Sequence, residues 1–226
     1  SIIIDFNIFK ESDILFLLSK GTDVINMIAI PQCLDFPDAY RTKEICDFYL
    51  RMLEIKNRDV YLHSKQVANY SASVAAKIGL PPGDVSKIKT AALLHDIGQL
   101  AVPNIILAKI PFLSTREFSL YKRHCIAGAS MLENIPELAY ITDIIRCHHE
   151  NWDGTGYPKR LKGQNIPIGA RIIAVANYYD RNLNPCTQHY QKSHEEAIVE
   201  LQDKAGQAFD PAIVKAFIEA ILPKQK

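Results

Sequence analysis

Five of the chain's seven histidines, His63, His95, His124, His148 and His149, fall on or near the ends of separate helical stretches. His95 precedes Asp96 in "LLHDIG", His124 closes "KRH", and His148 and His149 open "HHE". Imidazole nitrogens with a carboxylate suit a transition metal such as Fe, Mn, Ni or Zn. A carboxylate has two oxygens, so Asp96 could bridge two ions. Neighbouring helical residues point about 100° apart, so His95 and Asp96 serve one site only where their helix faces a cleft. A lone histidine is more often a surface or hydrogen-bonded residue, and His189 and His194 read that way. Neither "HD" nor "HH" is specific alone; His63 and three such motifs on separate predicted helices exceed chance.

The stretch "CHHENWDGTGYP", Cys147 to Pro158, joins ligand-type residues to a rigid turn. Its glycines, Asp153 and Pro158 predict a tight connection. Trp152 reads as structural. Cys125 and Cys147 each adjoin a histidine and could be ligands, but buried structural thiols are the simpler reading. Asp59 lies four residues before His63, so the two share a face if both are helical. Asp59 is then either a ligand beside His63 or the cap of a helix beginning near Val60. Asp180, one turn after Asn177, is a weaker candidate.

These residues need helices to carry them. Residues 60 to 78 give apolar or small positions at helical spacing and end at Gly79-Leu80-Pro81-Pro82. "GDVSKIKTAALLHDIG" predicts a helix capped by Asp84 and ending near Gly98. Ser114 and Glu117 form a capping box for a helix expected to reach Leu132. Pro136 suits the first turn of the helix leading to "CHHE". "IPIGARIIAVANYYD" predicts a buried helix. Ser193 with Glu196 makes a second capping box, and Asp210 with Pro211 starts a final helix. The expected fold is all-α from residue 45 to residue 226.

Residues 1 to 44 differ. "SIIIDFNIF" and "VINMIAI" could be strands, "SDILFLLSKG" a short helix, and "PQCLDFPDAY" a linker. The segment is either an α/β or irregular piece of an upstream domain or packing for the helical domain after it. The chain begins without Met and with an acid at Asp5, so a signal peptide is not expected and a piece of a longer protein is. At 226 residues and 48% hydrophobic it can bury one large core. A net charge of +1 argues against a nucleic-acid polymer as the main partner. No apolar run approaches membrane-spanning length. Five cysteines without a C-x-x-C pair read as reduced thiols in the cytoplasm.

"LLHDIGQLAVPNIILAK", "FSLYKRHCIAGASML", "HHENWDGTGYPKRLKGQNIPIGARIIAVAN" and "AGQAFDPAIVKAF" resemble the HD-GYP subgroup of the HD phosphohydrolases. The resemblance covers roughly residues 45 to 220, and its "HHExxDGxGYP" signature is specific. It implies an HD-type helical bundle that hydrolyses cyclic di-GMP in bacterial signalling. It also implies two or three divalent transition-metal ions, iron or manganese. Positions matching His63, His95, Asp96, His124, His148 and His149 would bind metal, with Asp96 bridging and catalytic. Tyr157 would contact substrate, or a protein partner at the GYP turn; alone it would read equally as a packed aromatic. Lys159, Arg160 and Arg171 are candidates for the substrate phosphates. Lys159 and Lys162 could equally be a solvated basic loop, and Arg171 a structural ion pair.

Two positions depart from the family. Gln99 stands where the family has a catalytic lysine, and Asn177 where it has a metal-binding aspartate. A glutamine donates a hydrogen bond but brings no charge, and an amide oxygen is a neutral donor. These changes leave open a second expectation, a catalytically weakened domain acting as nucleotide receptor or docking module.

Overall fold

A computed structural model describes residues 38–184 and 191–221. The expectations for residues 1–37, and those for Cys33, Cys186 and His189, lie outside the described residues. Among the described residues the structure is helical, without strands. No helix there is long and apolar enough to cross a membrane. The longer helices are α1 (Asp38–Lys56), α2 (Arg58–Lys77), α3 (Pro82–Leu94), α8 (Ile168–Leu183), α9 (His194–Asp203) and α10 (Pro211–Ile221). Between α3 and α8 lie shorter pieces: α4 (Asn104–Leu107), α5 (Thr115–Tyr121), α6 (His124–Leu132) and α7 (Thr142–Cys147). α1 begins at Asp38, inside the stretch expected to be linker.

α2 is the central element, packed against α1, α3, α8 and α10. The Asn57 side chain caps it, accepting from the backbone N–H groups of Asp59 and Val60. Its buried stripe runs Val60, His63, Ser64, Val67, Ala68, Ser71, Val74 and Ala75. That is helical spacing, so the packing that buries the valines also seats His63 in the interior. Gly79, at φ +80°, turns the chain out of the helix.

Both capping boxes form as expected, at Ser114 with Glu117 and at Ser193 with Glu196. Asp210 Oδ1 accepts from Ala212 N at 2.9 Å at the start of α10. Three boundaries differ from expectation. Pro81 stands at the start of α3, with Asp84 in its first turn paired to Lys87. The helix from Thr115 does not reach Leu132; it breaks after Tyr121, whose carbonyl accepts from the ring Nδ1 of His124 at 2.7 Å. Pro136 lies in a turn in which Leu138 N and Ala139 N both donate to Ile135 O, so α7 starts later and is short.

Candidate metal centre

His95, His124 and His148 are positioned by one repeated local device. Each sits where a helix ends or breaks, and each ring Nδ1 lies 2.6–2.7 Å from the backbone carbonyl three residues earlier: Ala92, Tyr121 and Ile145. A carbonyl only accepts, so Nδ1 carries the proton and Nε2 keeps its lone pair. The device satisfies helix-end carbonyls and orients metal-type nitrogens inward. Because α3 stops at Leu94, Asp96 is not helical (φ −102°, ψ 7°). Its Oδ2 lies 3.3 Å from His95 Nε2.

The five histidines form a continuous row. Ring centroids are 5.5 Å apart for His63 and His95, 5.1 Å for His95 and His148, and 4.2 Å for His148 and His149. His124 lies 5.5 Å from His148 and 5.2 Å from His149. Asp96 is fully buried between them, Oδ1 being 3.4 Å from His124 Nε2 and 4.0 Å from His148 Nε2. Two groups of metal-type atoms result. His63, His95 and Asp96 form one; His124, Cys125, His148 and His149 form the other. Cys125 thus lies with the histidines, its thiol pushed up by burial.

Gly98 lets this assembly close. A Cβ there would fall on His124 O and within 2.6 Å of Gly128 N, both backbone. Only glycine lets the Ile97–Ala101 turn lie against α6 and bring Asp96 to His124.

Burial lowers the pKa of His148 and His149 well below the ordinary value of 6.5, and neighbouring histidines lower it further. Neutral imidazoles are the form that ligates. Burial alone would raise the Asp96 carboxyl, but His95, Arg181 and His124 outweigh it and hold it well below the ordinary range. The Nε2 atoms of His95, His148 and His149 and Oδ1 of Asp96 are buried with no hydrogen-bond partner. Buried lone pairs without partners are costly. Their convergence fits a bound cation.

α8 supplies the remaining wall. Asn177 Oδ1 lies 2.8 Å from His63 Nε2, and Asp180 Oδ2 lies 2.5 Å from His63 Nδ1. Asp59 is exposed in the first turn of α2 and belongs to neither group, although it lines a cleft with His63 and Asp180. Neither reading of Asp59 matches this placement: Asn57 is the cap, and Asp180 is the carboxylate on His63. Arg181 is a site residue that sequence reasoning missed. Its Nη2 donates to Asp96 Oδ2 at 2.9 Å and its Nε to Asn177 Oδ1 at 2.8 Å. The available signal was its position four residues after Asn177 on one helix face.

The "DGTGYP" turn is built as expected at Asp153, whose Oδ1 accepts from Thr155 N at 2.8 Å. Its main clamp is Glu150, which sequence reasoning passed over. That buried carboxylate accepts from Lys159 N at 2.6 Å and Leu161 N at 3.0 Å. Tyr157 stacks on His149 at 5.0 Å, with Phe118 at its edge and the Lys122 ammonium 5.4 Å from its ring centroid. The tyrosine therefore touches the histidine row directly. Lys159 and Arg160 lie at the surface, and Lys159 pairs with Asp143. Arg171 makes the structural ion pair: Nη1 donates to Asp210 at 2.7 Å and Nε to Ile166 O at 3.0 Å, tying α8 to α10.

A cleft of about 710 Å³ opens over the row, within the ~300–1,000 Å³ usual for small-molecule sites. Gln99, His148, His149, Asn177, Arg181 and Lys192 are among its lining residues; of the expected substrate contacts, Tyr157, Lys159, Arg160 and Arg171 are not. Gln99 is buried there, with its Nε2 donor unpartnered.

The family model for the HD domain matches residues 48–213. The chain belongs to the HD-domain family, in its HD-GYP subgroup. Among relatives of this HD-GYP domain, a cyclic di-GMP phosphodiesterase of Thermotoga maritima is 36% identical over 182 residues, 76% of this chain and 50% of the relative. A 3'3'-cGAMP-specific phosphodiesterase of Vibrio cholerae is 32% identical over 79% of this chain and 34% of its own length. The chain thus spans half or less of these relatives. Among solved structures, an HDG"Y"P protein of Bdellovibrio bacteriovorus superposes with a TM-score of 0.62, covering 95% of this chain and 74% of that one. At 20% identity this likeness bears on the fold alone.

Proposed function

We propose that this HD-GYP domain hydrolyses a phosphodiester bond of a cyclic dinucleotide, cyclic di-GMP first, with a divalent transition metal, iron or manganese. The observation that carries the reading is the convergence of unpartnered His95, His148 and His149 nitrogens and Asp96 Oδ1 in one buried cluster, whose His148 and His149 line a substrate-sized cleft. The relatives named as cyclic-dinucleotide phosphodiesterases support the substrate class. His124, His148, His149 and Asp96 would hold the ion, with His95 and His63 beyond them. When bound, the metal supplies an acidified water and neutralises a phosphate oxygen. Gln99 Nε2 donates to a non-bridging oxygen of the substrate, and Arg181 and Lys192 offset its charge. Tyr157 orients His149 by stacking on it and acts on the substrate through that ring; its turn also offers a surface to a protein partner. Hydroxide adds to phosphorus, the bond to the ribose oxygen breaks, and that oxygen takes up a proton.

The buried free thiols Cys46, Cys125 and Cys147 suit a reducing cytoplasm. The test is incubation with cyclic di-GMP or 3'3'-cGAMP and excess Mn²⁺, or anaerobic Fe²⁺, with products separated by chromatography. Appearance of the linear dinucleotide or of mononucleotide supports the reading. The neutral amides at Gln99 and Asn177 favour a second reading, a nucleotide receptor with little catalysis. Tight binding of intact cyclic dinucleotide without product would establish that reading instead.

A further inference from the structure

The two halves of the histidine row are not equivalent. In the half formed by His124, His148, His149 and Asp96 Oδ1, the nitrogens of His148 and His149 and the oxygen of Asp96 have no hydrogen-bond partner. In the half formed by His63, His95 and Asp96 Oδ2, the protein supplies its own contacts. Asp96 Oδ2 accepts from Arg181 Nη2, and Asn177 Oδ1 accepts from Arg181 Nε while facing His63 Nε2. His63 Nδ1 is held by Asp180. The lone pairs left without a donor in that half are those of His95 Nε2 and of His63 Nε2, which faces the Asn177 oxygen while Nδ1 carries the proton to Asp180.

We propose that the Arg181 guanidinium takes the place of a metal ion at the His63–His95–Asp96 position, so that this domain holds one divalent ion rather than two. The chemistry fits. Guanidinium is charged at any working pH and has donors in a fixed fork, which here spans a carboxylate and an amide oxygen. Asn177 suits it: an amide oxygen accepts from Arg181 without adding charge, whereas a carboxylate there would favour a second cation. An ion entering this half would have to displace Arg181 from Asp96 and then sit beside a fixed positive charge. The other half has lone pairs and no cation of its own. Arg181 also lines the cleft, so the guanidinium that closes this half faces the substrate as well. The inference rests on the metal-centre reading above and adds to it the number and place of the ions.

The experiment is metal stoichiometry on the full chain. Protein reconstituted with Mn²⁺ and desalted is measured by mass spectrometry for metal per chain and by EPR for exchange coupling. About one ion per chain, with the spectrum of an isolated Mn(II), is expected. His149→Gln should lose the ion and His63→Gln should keep it. Arg181→Gln combined with Asn177→Asp should raise the content toward two and introduce exchange coupling. Two ions in the unsubstituted chain would overturn the proposal. So would one ion lost in His63→Gln but kept in His149→Gln, or a folded double variant still holding one. No ion at all would defeat the metal-centre reading itself, a result distinct from either. Thermal melts establish that each variant is folded, and the unsubstituted chain decides the stoichiometry without them.

Discussion

At the scale of single residues, the site depends on polar groups held in one state by burial. Glu150 shows what such a group does for the turn. Its carboxylate serves two backbone donors, Lys159 N and Leu161 N, from a buried position. Glu150→Ala should destabilise the fold by about 2–4 kcal/mol, since two partly buried N–H groups lose a charged acceptor. Urea unfolding measures that loss. Glu150→Gln, which keeps one acceptor oxygen, should cost less. The buried histidines make a second prediction, for metal-stripped protein. His148 and His149 have pKa values well below 6.5 in the fold, burial being the main cause. Above pH 6.5 both folded and unfolded chains hold them neutral, and stability is at its full value. As pH falls below 6.5 the unfolded chain takes up protons that the folded chain refuses, so stability declines. The depressed carboxyl of Asp96 extends the decline further into acid. Melting temperature should therefore be level from about pH 8 to 7 and fall from about pH 6.5 to 5. A melting temperature that rises on that descent would contradict the assignment of neutral buried histidines.

Among elements, the decisive contact is that of the Ile97–Ala101 turn with α6. Gly98 faces the His124 carbonyl and the Gly128 amide, which are backbone and cannot rotate away. Gly98→Ala should push α6 off the turn and separate His124 from Asp96. The expected cost is about 3 kcal/mol or more, as for overpacking against an unyielding wall. Metal content should fall with it. Calorimetry and metal analysis on one sample check both; an unchanged melting temperature would mean that the two elements are less closely joined. Lys56 supports the same turn from α1. Its ammonium donates to Leu100 O and Val102 O, both at 2.7 Å, and burial lowers its pKa to about 8.

For the whole molecule, the metal centre is a cross-link. It draws on Asp96 just past the end of α3, on His124 of α6, and on His148 and His149 past the end of α7. An ion that binds only the folded arrangement adds stability by mass action, about 2.7 kcal/mol at a hundredfold excess over Kd. For a chain of this size that corresponds to roughly 5–10 °C in melting temperature. Chelation should lower the melting temperature by that order, and added Mn²⁺ should restore it. A chelator without effect would mean that the histidine row stabilises itself without a cation.

Much of this was readable along the chain because it is local. Both capping boxes, the buried stripe of α2 and the Asp153 turn arise within a few residues, where helical periodicity and turn chemistry act directly. The histidines stood out for the same reason: three of them lie where a helix ends or breaks, and the nearby carbonyl fixes each ring. What only the tertiary structure decided are the pairings between distant segments. Arg181 on Asp96, Arg171 on Asp210, and Asp180 rather than Asp59 on His63 each depend on where two elements cross. The crossing is set by the packing of the whole core. No spacing in the sequence encodes that crossing, so Arg171 could be read as a phosphate contact, and the spacing of Arg181 from Asn177 said nothing of its reach to Asp96. α8 packed against α2 sends Asn177, Asp180 and Arg181 into the histidine row, and Arg171 toward the start of α10.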